Sequence, residues 1–278
     1  GFCFGVQRTV AMAQEVLNRT GRLASIGEIV HNPHVMDGLV RQGLRVVSSP
    51  EEVGAEEFLV RSHGLAPQVV SALRRRGATI HDGVCPLVRK LQMLVSALDT
   101  AGFSVIIVGD RTHPEVQACV GFGRRVSVCP PGGSVCRIRG AGRVAVVGQT
   151  TLSFDEYERS VRALIDKVSA AYLRVFNTIC KVTEQRQEEA RQLSRQVQAV
   201  LVLGGRQSAN TRTLYRICKA VNPRTFHVAS PEDLRKVPLS GIRSVGLTSG
   251  TSTSEDFIRT VAEHLQKKGY EEVTVNAK

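Results

Sequence analysis

The sequence predicts an α/β protein made of three similar βαβ-type units with mostly parallel sheets. Three observations lead there. Short apolar runs of strand length alternate with amphipathic helical stretches. Three cysteines, Cys3, Cys85 and Cys180, each stand just ahead of such a helix. The distance from each cysteine to a polar loop also repeats: Cys3 to His31, Cys85 to His113 and Cys180 to Ser208 are each 28 positions. One spacing held through three stretches marks a structural repeat.

The first unit, residues 1–84, opens with the helical GFCFGVQRTVAMAQEVL from Gly1. RLASIGEIV (22–30) is its strand and HNPHV, from His31, its polar loop. A second strand, FLVR (58–61), feeds RSHGL (61–65) with His63. The second unit, 85–179, runs through the helix begun at CPLVRK, the strand FSVIIVGD (103–110) and HPEV, which holds His113 and Glu115. Its second strand, RVAVVG (143–148), ends in GQTTLS (148–153) with Thr150. The third unit, 180–278, follows suit with TICKVTEQRQEEARQLSRQ, VQAVLVLGG (197–205) and SANT, which holds Ser208 and Asn210. SVGL (244–247) then leads to LTSGTSTSED (247–256) with Ser252. Ligands of open parallel sheets lie beyond the carboxyl ends of the strands, where these loops fall. Pseudo-threefold packing would gather the loops around one central cavity. The irregular stretch 129–143 reads as surface.

Composition narrows the class. The chain has 278 residues, 42% hydrophobic and 22% charged, enough for a sizeable core of ordinary globular type. No apolar run approaches the roughly 20 residues of a membrane helix, which excludes an integral membrane protein of that kind. A net charge of +12 suits nucleic acid, an anionic small molecule or an acidic protein. Aromatics are only 5%, with no Trp, so a platform for stacked bases is poorly supplied. The basic residues are scattered, with RRR (74–76) and Arg124–Arg125 the densest points. There is no phosphate-binding GxxxxGK[ST], no dinucleotide fingerprint and no HExxH. Seven cysteines, an odd number without a secretory leader, point to a reducing compartment and to thiol or metal chemistry. The chain opens at Gly1 rather than Met, which reads as a trimmed N-terminus or a fragment.

Cys3, Cys85 and Cys180 occupy one position in three equivalent units, so symmetry would bring them together. The N-terminal end of a helix favours a ligating thiolate. Their wide separation does not match the paired spacing of zinc ribbons. An iron–sulfur cluster on three cysteines, with one iron open, fits better. Cys119, Cys129, Cys136 and Cys218 read as small buried hydrophobes. His31, His63 and His113 with Thr150, Ser208, Asn210 and Ser252 are groups suited to a phosphate or diphosphate. Glu115, two residues after His113 at a helix start, is either a general acid or a carboxylate favoured there by the helix dipole.

Taken together, GFCFGV, VHNPHV, SHG, CPLVRK, HPEV, GQTTLS, the IC at Cys180, RQSANT and TSGTSTSED resemble the 4-hydroxy-3-methylbut-2-enyl diphosphate reductase (LytB/IspH) family. The motifs stand in the family's order and span nearly the whole chain. The resemblance implies one [4Fe–4S] cluster at the centre of the threefold, held by Cys3, Cys85 and Cys180 with an open apical iron. It implies diphosphate ligation by His31, His63, Ser208, Asn210 and Ser252. His113, Thr150 and Glu115 then lie at the reacting end, Glu115 delivering a proton. The reaction implied is reductive removal of the allylic hydroxyl, giving isopentenyl and dimethylallyl diphosphate in isoprenoid biosynthesis. A cytoplasmic location, an electron donor such as ferredoxin or flavodoxin, and no nucleic-acid or membrane partner are implied with it. The family's short strand ahead of GFC is missing from this sequence; it should belong to one of the sheets. Gly83–Val84 stand where the family commonly has Ala-Thr, and Ala209 where Ser is frequent. Two other classes remain open on the residues alone. A hydro-lyase with an open iron would show Arg clamps for carboxylates, and a basic nucleic-acid binder would show steep salt dependence.

Overall fold

The computed structural model describes residues 1–132, 142–168 and 170–271. By compactness the chain divides into two units, one of residues 5–29 and 36–180, the other of 1–4, 30–35 and 181–278.

The larger unit carries two parallel sheets. Helix α1 (Phe4–Thr20) leads to β1 (Leu23–Ile26), α2 (Pro33–Arg41), β2 (Leu44–Val47), β3 (Glu57–Val60), α3 (Pro67–Arg75) and β4 (Thr79–Asp82). Their order across the sheet is β2-β1-β3-β4, all parallel. Helix α4 (Pro86–Thr100) then leads to β5 (Ser104–Val108), α5 (Pro114–Val120), β6 (Val126–Cys129), β7 (Gly142–Gly148), α6 (Phe154–Ile165) and β8 (Ala170–Phe176). The order repeats as β6-β5-β7-β8, again parallel.

The smaller unit holds α7 (Lys181–Gln196), β9 (Ala199–Leu203), α8 (Ala209–Val221), β10 (Thr225–Val228), α9 (Pro231–Arg235), β11 (Val245–Ser249) and α10 (Glu255–Lys267). Its sheet is β10-β9-β11, parallel and three-stranded among the described residues. Among the described residues no helix is long and apolar enough to cross a membrane.

Burial explains why the strands form where they do. In β5 every residue is buried; Val105 and Ile107 pack with Leu91, Val95 and Val147, and Ile106 and Val108 with Val144, Val146 and Tyr157. A strand covered on both faces reads as a continuous apolar run, which is why SVIIV was legible. The run 22–30 is different: β1 stops at Ile26, and Gly27 takes a left-handed φ of 69°. Ile29 and Val30 are buried without belonging to a strand, so their apolar character extended the expectation too far.

In each sheet the first and third strands are neighbours; in the two four-stranded sheets the helices that follow them lead to flanking strands on opposite sides, and in the third sheet α8 leads to β10 beside β9. That is the switch point at which open α/β sheets bind ligands. It places the loops after β1 and β3, after β5 and β7, and after β9 and β11 side by side at the carboxyl edge of each sheet.

Candidate active site

The three expected cysteines precede helices as the spacing suggests. α1, α4 and α7 begin at Phe4, Pro86 and Lys181, one residue after each cysteine. Cys85 is the N-cap of α4, with Pro86 at the first helical position, where a missing N–H costs nothing. Its amide donates to the Ser62 carbonyl at 3.0 Å. A Cβ at Gly5 would meet the Cys85 sulfur at 2.7 Å, so the start of α1 can lie against this thiol only as glycine. The Cys180 amide donates to the Thr150 carbonyl at 2.9 Å, and the Cys3 amide to the Thr251 carbonyl at 3.1 Å. None of the three is disulfide-bonded, and all are partly exposed. Cys119 and Cys218 are free but sealed, as expected of small apolar residues; burial pushes both thiols up, with the Glu115 carboxylate adding to the effect at Cys119. Cys129 is buried but disulfide-bonded, unlike the inert thiol expected there. Cys136, and most of the stretch expected at the surface, lie outside the described residues. Among the described residues no three His, Cys, Asp or Glu side chains converge as a metal-binding group.

In the larger unit the loops after β5 and β7 bring together Glu115, Thr150 and His113. Glu115 is 1% exposed, and Thr150 donates to both its oxygens: the amide to Oε1 and the hydroxyl to Oε2, each at 2.7 Å. Burial drives the carboxyl above its ordinary range, and the two Thr150 bonds partly oppose this. His113, 6% exposed, caps α5: its Nδ1 accepts from the Glu115 amide at 3.2 Å. In the neutral ring the proton is therefore on Nε2. The His63 ring stands edge-on to His113, centroids 5.2 Å apart.

Two residues that the sequence reading passed over hold these loops. Gln149 is buried; its Oε1 accepts from the Asp110 amide and its Nε2 donates to the Thr151 hydroxyl, both at 2.9 Å. It thus ties the His113 loop to the Thr150 loop, and a Cβ at Gly109 would come within 2.9 Å of its oxygen. Arg61 lies two residues before His63, and its Nη1 donates to the Glu28 carbonyl at 3.3 Å. Burial lowers its pKa, with Glu28 opposing the shift. No sequence periodicity marks either residue; both act across loops from different strands.

In the smaller unit the loops after β9 and β11 converge. Ser208 caps α8, accepting from the Thr211 amide at 3.3 Å. Asn210 is 2% exposed, and both its side-chain oxygen and nitrogen lack hydrogen bonds within the chain. The buried hydroxyls of Ser252 and Thr211 are also unbonded. A Cβ at Gly250 would collide with the Thr211 hydroxyl, and the Thr253 hydroxyl donates to the Leu203 carbonyl at 3.0 Å. His31 approaches the same loops: its carbonyl would sit 2.7 Å from a Cβ at Gly205, while the neighbouring Asn32 donates to the Ser252 carbonyl at 3.3 Å. Buried polar groups are nearly always bonded, so this cluster of open ones beside two helix N-termini marks a place for an anion.

Loops at the switch points of three parallel sheets, one with a buried carboxylic acid and one with a polar cradle at helix starts, define an α/β enzyme-like scaffold for a small anionic ligand. The LytB protein family model matches residues 1–266, and the chain belongs to this family. It is 38% identical over 268 residues to the 4-hydroxy-3-methylbut-2-enyl diphosphate reductase of Geobacter sulfurreducens, covering 96% of this chain and 94% of that one. The reductase of the same name from Anaeromyxobacter is also 38% identical, over 269 residues, covering 96% and 94%. Among solved structures, (E)-4-hydroxy-3-methyl-but-2-enyl diphosphate reductase, described as the terminal enzyme of the non-mevalonate pathway, aligns with a TM-score of 0.67. Its identity is 32%, and 96% of each chain is covered. The Plasmodium falciparum E-1-hydroxy-2-methyl-but-2-enyl-4-diphosphate reductase shares the fold, with a TM-score of 0.89 at 23% identity, over 96% of this chain and 85% of that one.

Proposed function

We propose that this chain is an oxidoreductase that removes the allylic hydroxyl of (E)-4-hydroxy-3-methylbut-2-enyl diphosphate, giving isopentenyl and dimethylallyl diphosphate. The balance is two electrons and two protons in, and one water out. Membership of the family and the names of its relatives support the substrate. The observation that carries the chemistry is Glu115: a sealed carboxyl held by two Thr150 donors at the reacting end, where burial favours the protonated form that a proton donor needs.

In this reading Glu115 carries the proton to be delivered, and the Thr150 amide and hydroxyl hold the carboxyl in one orientation. When the proton passes to the leaving hydroxyl, the same two donors stabilise the carboxylate that remains. His113, with Nδ1 engaged, offers its Nε2 hydrogen to the reacting end. Ser208, Asn210, Ser252, His31 and His63 bind the diphosphate in this reading, with hydrogen bonds rather than an Arg or Lys clamp. Backbone amides at the starts of α8 and α10 add to them.

The family implies an iron–sulfur cofactor, and we propose a [4Fe–4S] cluster held by Cys3, Cys85 and Cys180. The donor set suits it: these are partly exposed cysteines outside any disulfide, at helix starts, whereas Cys119 and Cys218 are sealed. When bound, the cluster supplies electrons and a Lewis-acidic open iron at the C–O bond. A ferredoxin- or flavodoxin-type donor and a cytoplasmic setting complete the reading. Anaerobic purification with iron and sulfide counts, followed by product analysis with the diphosphate alcohol, tests it. About four irons per chain and both diphosphate products are expected. A cluster that leaves this alcohol untouched overturns the assignment.

A further inference from the structure

We propose that a cavity beside Cys85 in the first sheet is the docking point for an acidic protein that donates electrons one at a time. The inference rests on the reductive reading above and adds where the donor binds.

The cavity has a volume of about 280 Å³. Val60, Leu65, Ile80 and Val84 form its apolar floor. The same side chains belong to the core cluster against which Cys85 itself packs. The backbone makes the same link. Val84 immediately precedes Cys85, and Arg89, also in the lining, donates its amide to the Cys85 carbonyl at 2.8 Å.

Charge at the rim is one-sided. Arg74, in the last turn of α3, lines the cavity with an exposed side chain and has no ion-pair partner among the described residues. The Arg8 guanidinium donates to the carbonyls of Val84 and Asp82, at 3.1 and 3.0 Å. Arg89 pairs with Asp82 at 2.6 Å, the one acidic side chain of the lining. The lining thus holds two guanidiniums, Arg74 and Arg89, against one carboxylate, and a third, Arg8, is anchored on the backbone of two lining residues. An apolar spot flanked by an exposed, unpaired Arg and two half-buried ones is the pattern of a small, transient, charge-steered protein contact. A small-molecule anion site would instead bury its cations, and a nucleic-acid site would offer more than the single aromatic ring of Phe122.

Each turnover needs two docking events. Each donor molecule loses one electron; the pair of electrons and two protons break the allylic C–O bond, form a C–H bond and release water.

The test uses the cluster-loaded enzyme and two electron sources: a reduced acidic plant-type ferredoxin, and dithionite-reduced methyl viologen. Arg74→Glu should weaken the binding of oxidised ferredoxin, measured by calorimetry without turnover, about tenfold, raise the KM for ferredoxin about tenfold and flatten the dependence of rate on ionic strength. Viologen-driven turnover should stay within about twofold of wild type, because surface changes away from the chemistry are small in effect. Arg74→Lys should restore the ferredoxin KM. Arg159→Glu, the same charge change on the exposed face of α6, should leave it unchanged. Equal ferredoxin KM and salt dependence for wild type and Arg74→Glu overturn the docking site. So does an equal effect of Arg159→Glu, which would mean steering by net charge alone. A wild-type enzyme that turns over with neither reductant overturns the reductase reading itself, and the docking site with it.

Discussion

Glu115 and Asn210 hold the same position in their sheets: each is the second residue of the helix that follows the sheet's first strand, after a capping side chain, His113 or Ser208. Both are almost wholly buried. Glu115 has both oxygens engaged by Thr150, while neither side-chain atom of Asn210 has a partner within the chain. The difference follows from what each is proposed to do. A proton donor must be aligned before the substrate arrives, so its acceptors are filled from inside. A ligand-binding amide must leave its bonding capacity for the ligand, at a cost of about 1–3 kcal/mol for each unmet buried group.

The comparison is broken most severely by Glu115→Gln. The amide keeps the shape but has no carboxyl proton to give, so turnover should fall by about 100- to 10,000-fold. Substrate affinity, measured by calorimetry, should hardly change. Near-normal turnover would remove Glu115 from the proton step.

The mirror experiment is Asn210→Leu. Losing hydrogen bonds to a charged ligand should cost about 1.5–3 kcal/mol, on the order of 10- to 100-fold in affinity for the diphosphate. Unfolding of the ligand-free protein should show stability unchanged or slightly raised, since two unbonded buried atoms are removed. A large drop in ligand-free stability would mean that Asn210 is a structural residue.

Thr150→Val should do the reverse. It deletes one donor to a buried carboxyl and should destabilise the ligand-free protein by about 1–3 kcal/mol. It also removes an interaction that favours the charged form, so the Glu115 pKa rises further. The alkaline limb of the turnover profile should move to higher pH.

The smallest effect is in the pH dependence of stability. The folded Glu115 binds its proton more tightly than the unfolded chain, whose carboxyl titrates near 4.5. Its contribution is therefore fully present below that pH and declines as pH rises toward the folded value. Glu115→Gln cannot lose it. The stability difference between Glu115→Gln and wild type should shift in favour of the variant as pH is raised above 4.5, in denaturant titrations at each pH.

Much of this architecture was legible from local pattern. The runs 104–108 and 199–203 are buried on all sides, and such strands announce themselves by continuous Val, Ile and Leu. The cysteine–helix junctions were legible from Pro86 and the amphipathic periods that follow. Strand β4 (Thr79–Asp82) was not, because it stands at a sheet edge with half its residues open and carries little apolar signal; β8 (Ala170–Phe176) also stands at an edge, and its apolar run AAYLRVF was passed over.

What the sequence by itself determined is the repeat, the parallel α/β class and the residue types at the ends of the strands, since these depend on spacing and hydrophobic pattern along the chain. Only the tertiary structure decided that Glu115 is sealed and Asn210 left open. It alone showed Gln149 bracing two loops and gathered Arg8, Arg74 and Arg89 beside Cys85. Hydrogen-bond completion and charge grouping are set by which distant segments meet, and no local pattern records that meeting.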